Sequence, residues 1–361
     1  MFLSFPVDTI TVYLLILFDR SSTPLGRSSH GISVIHYATD NPKVIMYGGE
    51  NKPRTPIDST LHVLSSLGIE YKGNVAPQEW ETVTVKNGSN IPPGRIAHAQ
   101  AAMNDVLYIF GGRLGPSMNE EALEDLWRFD WSTKTWEEVT CAIGVPPEAR
   151  SFHKLISAGG LLYVFGGCGV KGRLNDLHSF DPGTSTWTKL PSCDSIAGRG
   201  GACFQSNGAG TALYVISGFI GHETRDVHRY DVVSTSWTKL EDFPDNIPAR
   251  SVTAGCIIPN LDIICLFGGE LEPSSRGHEG AGNFSNDVLY LDTSITDAKF
   301  VSRATPINLV SEKPSPRGWL ESSLLRSNDG TADVVIFGGL SGNDISSTRN
   351  DDTWILHLSK K

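Results

Sequence analysis

The chain has 361 residues, a formal net charge of −10, 37 glycines and 20 prolines. This length provides a core for one large all-β domain or for two smaller domains, and the glycines and prolines favour short strands and tight turns over long helices. Because the charge is acidic and no run of Lys and Arg occurs, the composition argues against nucleic acid as a partner.

The first predicted element is an apolar run, "ITVYLLILF", at residues 10–18. It is too short to span a bilayer as a helix, and residues 1–9 contain no Lys or Arg that would form the basic start of a signal peptide. Its Thr, Val, Tyr and Ile residues favour a β-strand. We therefore interpret the run as a strand in preference to a signal peptide, and we expect no membrane segment.

Six cysteines are spread along the chain without a CxxC pair or any other spacing typical of a metal site. Several lie in apolar, strand-like stretches, so we interpret them as reduced thiols in a cytoplasmic protein. They are Cys141, Cys168, Cys193, Cys203, Cys256 and Cys265.

A repeated pattern dominates the chain after residue 26. An apolar run that ends in Gly-Gly, or nearly so, recurs at residues 44–49, 107–112, 162–167, 213–218, 264–269 and 334–339. A second strand-like stretch follows each run. In four units a third strand-like stretch contains a tryptophan, and a fifth unit has Phe300 at that position: Trp80, Trp136, Trp187 and Trp237. An arginine precedes each unit: Arg27, Arg95, Arg150, Arg199, Arg250 and Arg317. The pattern predicts four strands per unit of about 50 residues.

The repeated residues have structural interpretations. The glycine pairs allow positive φ and close backbone approach, and the indoles can fill the space between adjacent sheets. We expect the arginines to bind carbonyls or Asp side chains of the neighbouring unit, and the Asp of "NDL", "RDV" and "NDV" to accept backbone N–H bonds at strand entry. We interpret five histidines as structural residues with satisfied partners: His98, His153, His178, His222 and His228.

This repeat resembles that of the kelch family, and the resemblance covers nearly the whole chain. It implies an all-β, six-bladed kelch β-propeller with four antiparallel strands per blade, in a single domain at residues 1–361. The blades are expected at about 27–85, 95–140, 150–190, 199–240, 250–303 and 317–358. The last unit ends after "DDTWILHL" without an outer strand, so we predict that residues 10–18 of the N-terminal segment 1–26 supply that strand and close the ring.

Six shorter stretches lie outside the general repeat: "RSSHGISV", "YGGENKP", "ARSFH", "GRGGACF", "GFIGHETRDVHRYD" and "PRGW". They resemble the plant specifier proteins, which divert unstable glucosinolate aglycones to nitriles, epithionitriles or thiocyanates. That resemblance implies ferrous iron bound through Glu-x-x-x-Asp-x-x-x-His, with Glu270 and His278 at the outer positions. The middle position is Ser274, whose hydroxyl is a poorer ligand for Fe(II) than a carboxylate. The sequence thus predicts an iron site of Glu270, Ser274 and His278 that is weakened at its centre.

The same resemblance implies substrate contacts at the pocket mouth, by Lys52, Arg113, Phe152, Arg173 and Trp319. Lys52, Arg113 and Arg173 lie near Gly-Gly turns, so we expect them on loops at one face, where cations attract an anionic small molecule.

Two functions follow from these observations. In the first, the chain is a specifier-like lyase or isomerase of specialised metabolism, in which Glu270 and His278 bind a metal or exchange protons. The alternative is a non-catalytic kelch scaffold that binds protein partners on its loops.

Overall fold

The structure, a computed structural model, describes residues 10–17, 23–35, 42–65, 79–115, 122–140, 143–294, 300–304 and 314–360. Cys141, Phe18 and residues 1–9, on which parts of the sequence interpretation rest, lie outside these ranges. The described residues are all-β apart from two 3₁₀ turns, at Pro259–Leu261 and Gly277–Glu279, which confirms the all-β part of the predicted fold. Neither helical segment in these ranges has the length and hydrophobicity that a membrane span requires.

The strands begin with β1 (Ile10–Leu17). The first four-stranded sheet contains β2 (Gly31–Ile35) and β3 (Lys43–Tyr47), and the small hairpin of β4 (Glu50–Lys52) and β5 (Thr55–Pro56) separates these from its outer strands, β6 (His62–Ser65) and β7 (Trp80–Thr82). The second sheet contains β8 (Ala99–Met103), β9 (Val106–Gly112), β10 (Leu123–Asp130) and β11 (Thr135–Glu138). The third contains β12 (Lys154–Ala158), β13 (Leu161–Gly169), β14 (Gly172–Asp181) and β15 (Thr186–Leu190).

The fourth sheet contains β16 (Cys203–Ser206), β17 (Ala212–Phe219), β18 (Glu223–Asp231) and β19 (Ser236–Lys239). The fifth begins with β20 (Ala254–Ile258) and β21 (Ile263–Phe267), continues through the hairpin of β22 (Glu270–Glu272) and β23 (Asn283–Phe284), and ends with β24 (Val288–Asp292) and β25 (Phe300–Ala304). The remaining strands are β26 (Arg317–Gly318), β27 (Glu321–Asn328), β28 (Thr331–Phe337), β29 (Leu340–Gly342), β30 (Ser347–Arg349) and β31 (Thr353–Lys360).

The sixth four-stranded sheet joins the two ends of the described chain. Its strand order is β27, β28, β31 and β1, and β1 runs antiparallel to β31 from Ile10 opposite Lys360 to Leu17 opposite Thr353. The first strands of the six sheets contact one another in chain order, and β27 of the sixth sheet also contacts β2 of the first.

A circle of backbone hydrogen bonds connects the six sheets. The second residue after each repeat arginine has positive φ, between 47° and 62°. Its N–H donates to the carbonyl oxygen of the equivalent residue in the preceding sheet, at 2.8–3.0 Å, and the N–H in the first sheet donates to the carbonyl in the sixth. We call this set the backbone circuit: Ser29, Ala97, Phe152, Gly201, Val252 and Trp319.

The repeat arginines are buried and have structural partners. Arg150, for example, donates to the carbonyl of Gly166 at 3.0 Å and to both oxygens of Asp176 at 2.7 and 2.9 Å. Two details of the expectation were wrong. These partners belong to the same sheet as the arginine, because its side chain lies across the ends of its own second and third strands. The Asp side chains of the "NDL"-type stretches therefore accept hydrogen bonds from the guanidinium groups of the repeat arginines. We had expected them to accept from backbone N–H groups.

The repeat tryptophans fill the space between sheets, as predicted. Trp136 packs on Tyr47 of the preceding sheet with ring centroids 5.6 Å apart, and Trp187 packs on Phe110 at 5.5 Å. Trp80 of the first sheet packs on Phe337 of the sixth at 5.3 Å.

The repeat histidines fall into different environments. His178 and His228 hydrogen-bond to Asp176 and Asp226 at 2.9 and 2.7 Å, as the structural interpretation requires. His98 packs on Tyr47 at 5.8 Å, but neither of its ring nitrogens has a hydrogen-bond partner among the described residues, so the expected satisfied partner was wrong there; burial lowers its pKa to about 3. Burial also places the pKa of His153 well below its ordinary value.

Replacing Arg150 with Met should destabilise the fold strongly, because it leaves the Asp176 carboxylate without its buried partner. We expect a loss of about 3–5 kcal/mol in the free energy of unfolding, measured in urea. Arg128→Met is the matched control, since the exposed Arg128–Glu137 pair should contribute only about 0–1 kcal/mol. Equal effects of the two substitutions would contradict this account.

Stability should fall as the pH drops below about 6.5, the ordinary pKa of histidine. His98 stays neutral in the folded protein down to about pH 3, whereas the unfolded chain takes up the proton near pH 6.5. His98→Gln should therefore flatten the pH dependence of unfolding between these values, by up to about 1.4 kcal/mol per pH unit. His222→Gln, at an exposed position, is the control substitution.

Candidate functional site

A cavity of about 270 Å³ lies at the end of the sheets where the Gly-Gly hairpins project. Its wall combines the rings of two phenylalanines, a tryptophan and a histidine with two glutamates and two arginines, from several sheets. We call it the upper cavity, and the lining that matters for its chemistry is Glu50, Phe152, Arg173, Phe219, Glu270, His278, Trp319 and Arg349.

Three rings form a cluster on the wall of the upper cavity. Phe152 and Trp319 contact each other with centroids 5.5 Å apart, although they belong to the third and sixth sheets. His278 packs edge-on against both, at 5.7 and 5.1 Å. Phe152 and Trp319 are both members of the backbone circuit, so the circuit fixes the Cα positions from which these side chains meet.

A buried charged group lies beside the aromatic cluster. His278 Nε2 lies 3.0 Å from Oε1 of Glu50, which also accepts from Nη2 of Arg349 at 3.4 Å. Burial alone would raise the pKa of Glu50, but its hydrogen bond to His278 and the charges of His278 and Arg349 outweigh burial and lower it. Glu50 therefore carries a negative charge in this wall.

Glu50 was missed from the sequence, although a signal for it was present. Both "YGGE" and "FGGE" place a glutamate directly after a Gly-Gly pair, so Glu50 and Glu270 occupy equivalent positions in the first and fifth sheets.

Glu270 is a buried carboxyl group in the wall of the upper cavity, and its pKa is raised. It is 6% exposed, and its Oε1 accepts a long bond, 3.3 Å, from the N–H of Gly282. Burial, together with the negative charge of nearby Glu223, raises the pKa of Glu270 to about 7. Burial also raises the pKa of Glu223. Glu270 can therefore donate or accept a proton near neutral pH.

Asp344, from the β29–β30 hairpin of the last unit, holds the loop after Glu270. It accepts the hydroxyl hydrogen of Ser274 and, at 3.1 and 2.6 Å, the N–H and hydroxyl of Ser275. The N–H of Ala281 donates to the same carboxylate at 3.2 Å. The loop that carries His278 is thus fixed at both of its ends by one side chain.

The predicted iron ligands do not fit a ferrous site. Ser274 is bound to Asp344, and His278 faces Glu50 rather than Glu270. Within the described ranges, no three His, Cys, Asp or Glu side chains come together in a way that could hold a metal ion. We therefore derive no chemistry here from iron.

Of the three cationic residues that were predicted to bind substrate, only Arg173 lines the upper cavity. The guanidinium of Arg173 lies on the cavity wall, over the ring of Phe219 at 4.6 Å. Arg113 donates through Nε to Ser151 at 3.0 Å, and neither it nor the exposed Lys52 lines the cavity. Thus the structure brings together Phe152, Arg173, Glu270, Ser274, His278 and Trp319, and their roles in binding or catalysis stay predictions.

Comparison with known proteins finds that this chain is similar to kelch-repeat proteins. The model of the KLHDC2/KLHL20/DRC7 Kelch-repeats domain matches residues 29–269. The N-(sulfonatooxy)prop-2-enimidothioate sulfolyase of Thlaspi arvense is 29% identical over 339 residues, which cover 88% of this chain and 89% of that protein.

Other relatives are matched over less of their length or at lower identity. Human Kelch domain-containing protein 3 is 27% identical over 270 residues, 70% of this chain and 64% of that protein. The solved structure of YjhT superposes with a TM-score of 0.64 at 17% identity, covering 92% of this chain and 95% of that one, and therefore bears on the fold alone.

Glu270→Gln should stabilise the protein at alkaline pH. The folded-state pKa of about 7 exceeds the ordinary value of 4.5, so folding stability is complete below pH 4.5 and falls as the pH rises to about 7. Above pH 7.5 the neutral glutamine should restore about 1–3 kcal/mol of unfolding free energy, with little effect at pH 4.5. Exposed Glu272→Gln is the control; a destabilising Glu270→Gln at pH 8 would refute the assignment.

Proposed function

The chain belongs to the KLHDC2/KLHL20/DRC7 Kelch-repeats domain family, and from that membership we propose that it is a closed, six-bladed propeller that binds a small anionic molecule in the upper cavity. Closure is supported by the backbone circuit, whose last bond joins Ser29 to Trp319, and by the pairing of β1 with β31. The observation that carries the ligand proposal is the upper cavity itself, with an arginine, an aromatic cluster and a glutamate of raised pKa in one wall.

The ligand class is a sulfonated thiohydroximate of the kind named for the Thlaspi arvense sulfolyase. Arg173 would bind the sulfate group through charge-assisted hydrogen bonds, at the mouth of the cavity. Phe152, Phe219 and Trp319 would enclose the organic part of the molecule. A cavity of about 270 Å³ is suited to a molecule of this size.

Glu270 would act as the proton-exchanging group. With a pKa of about 7, half of its carboxyl groups are neutral at pH 7, so it repels a dianion less than an ordinary glutamate would. In the neutral form it can donate a hydrogen bond to the sulfur of the ligand. In nitrile formation the N–O bond breaks, sulfate leaves with the bonding electron pair, the C–S bonding pair becomes the third C–N bond, and the sulfur atom leaves in its neutral form. Glu50 would act indirectly, by holding His278 against the aromatic cluster.

The second candidate is a scaffold that binds a protein partner at the same face. Large apolar side chains are exposed there, among them Val170, 68% exposed, on the β13–β14 hairpin and Ile345, 97% exposed, on the β29–β30 hairpin. Both hairpins also contribute to the cavity wall, through Arg173 and Arg349. Human Kelch domain-containing protein 3 is a relative that spans this chain only in part.

The test is to add the purified protein to allyl glucosinolate and myrosinase and to measure the products by gas chromatography. We expect the protein to shift the products from isothiocyanate towards nitrile, epithionitrile or thiocyanate. Arg173→Ala should reduce that shift by about tenfold or more, because it removes the anion contact.

Lys171→Ala is the matched control, since it removes an exposed cation from the same hairpin without altering the cavity lining. Unchanged products with the wild-type protein would refute the ligand proposal. In that case Val170→Asp and Ile345→Asp would test the scaffold, by loss of co-purifying proteins that Lys171→Ala retains.

A further inference from the structure

The loop between β22 and β23 extends from the fifth sheet to the axis of the structure. His278, near the middle of residues 273–282, contacts groups that belong to three other sheets. Its ring packs on Phe152 of the third sheet and on Trp319 of the sixth, and its Nε2 lies 3.0 Å from Oε1 of Glu50, which belongs to the first. Because the third and sixth sheets are three places apart in the series of six, this loop reaches over the axis.

The same loop forms part of the wall of the upper cavity. The N–H of Gly277 donates to the carbonyl of Ser274 at 3.0 Å, and the N–H of Gly280 donates to the carbonyl of Gly277 at 3.2 Å. The loop is therefore a compact unit with hydrogen bonds of its own. Five of its residues line the cavity: Pro273, Ser274, Gly277, His278 and Gly280.

One residue of another hairpin fastens this loop. The carboxylate of Asp344 accepts hydrogen bonds from the hydroxyls of Ser274 and Ser275 and from the N–H of Ala281. Its backbone carbonyl accepts from Nη1 of Arg276 at 2.9 Å. The bonds from the two hydroxyls lower the pKa of Asp344, so its side chain is ionised at neutral pH. A single anionic side chain thus ties the loop to the β29–β30 hairpin.

Gly280 leaves the space in which this carboxylate lies. A Cβ atom on Gly280 would overlap Oδ1 of Asp344 and Oγ of Ser274. The backbone of Gly280 is extended, with φ −115°, so an alanine at this position would not strain the backbone. The contact with Asp344 is therefore what requires glycine here, and Gly280→Ala prevents that contact without changing Asp344.

We propose that residues 273–282 form a lid over the upper cavity and that Asp344 is the latch of this lid. Asp344 is partly exposed, so water competes for its hydrogen bonds and the lid can open without unfolding of the sheets. Opening at the β22–β23 hairpin withdraws His278 from Phe152 and Trp319 and widens the entrance of the cavity. Asp344 thereby controls how fast a ligand exchanges. This role rests on the proposed function only in that a ligand enters the upper cavity.

Alkylation of Cys168 by iodoacetamide tests the lid in the absence of any ligand. Cys168 is a free thiol in the wall of the upper cavity, so its rate of alkylation, measured by mass spectrometry of its peptide, reports access to the cavity. We expect Asp344→Ala and Gly280→Ala each to raise this rate by about tenfold or more. Asp351→Asn removes an exposed carboxylate from the same unit and should leave the rate at the wild-type value.

Cys203 reports the state of the fold in the same experiment. It is 2% exposed in the core between sheets and should stay unmodified in every variant. The lid is refuted if Cys168 reacts at the wild-type rate in either Asp344→Ala or Gly280→Ala. It is also refuted if Cys203 becomes reactive together with Cys168, because Asp344 would then support the whole fold. Unchanged products in the glucosinolate assay would refute the proposed ligand and would not alter these alkylation rates.

Discussion

The structure depends on a closed series of backbone contacts around its axis. The backbone circuit joins one residue from each sheet to the equivalent residue in the next. A second series of hydrogen bonds also links neighbouring sheets: the N–H of the last glycine in each repeat run donates to the carbonyl oxygen of the repeat arginine in the following sheet. Both series return to their first member, through Ser29 and Trp319 in one and through Arg27 and Gly339 in the other. Five circuit residues other than glycine adopt positive φ, at a cost of about 1–3 kcal/mol each, so the contacts they make must outweigh this strain.

Glycine and arginine make these close contacts possible. A Cβ atom on Gly111 would lie 2.6 Å from the carbonyl oxygen of Arg150, so a larger residue could not approach the next sheet. The side chain of the same arginine turns back into its own sheet and binds Asp176, which fixes the carbonyl that Gly112 contacts. The repeat therefore uses one residue for two purposes: its backbone links sheets and its side chain stabilises the sheet that carries it.

The repeated part of this arrangement could be predicted from sequence, because every unit must satisfy the same constraint with the same residues. The glycine pairs, the repeat arginines and the indoles between sheets were identified in this way, whereas the sheet to which the arginine partners belong and the donors to the repeat Asp side chains were misjudged. The site was less predictable. Glu50 and His278 are 228 residues apart, and Asp344 is 70 residues from Ser274, so no local spacing reveals either pair. Such contacts arise only when loops of different sheets converge on one axis.

The convergence of loops from different sheets also explains why the loop after Glu270 does not form the iron site implied by its resemblance to Glu-x-x-x-Asp-x-x-x-His. With serine at position 274, the nearest carboxylate comes from Asp344 in another hairpin and is occupied in holding the loop. His278 is drawn to Glu50, the equivalent of Glu270 in the first sheet, because Glu50 is buried and charged. Glu270 is left with burial and the charge of Glu223, which together favour its neutral form. Two glutamates at the same repeat position thus differ in charge at neutral pH, because Glu50 lies beside His278 and Arg349 whereas Glu270 lies beside the carboxyl group of Glu223. This difference makes Glu50 a fixed anion and Glu270 a group that can exchange a proton.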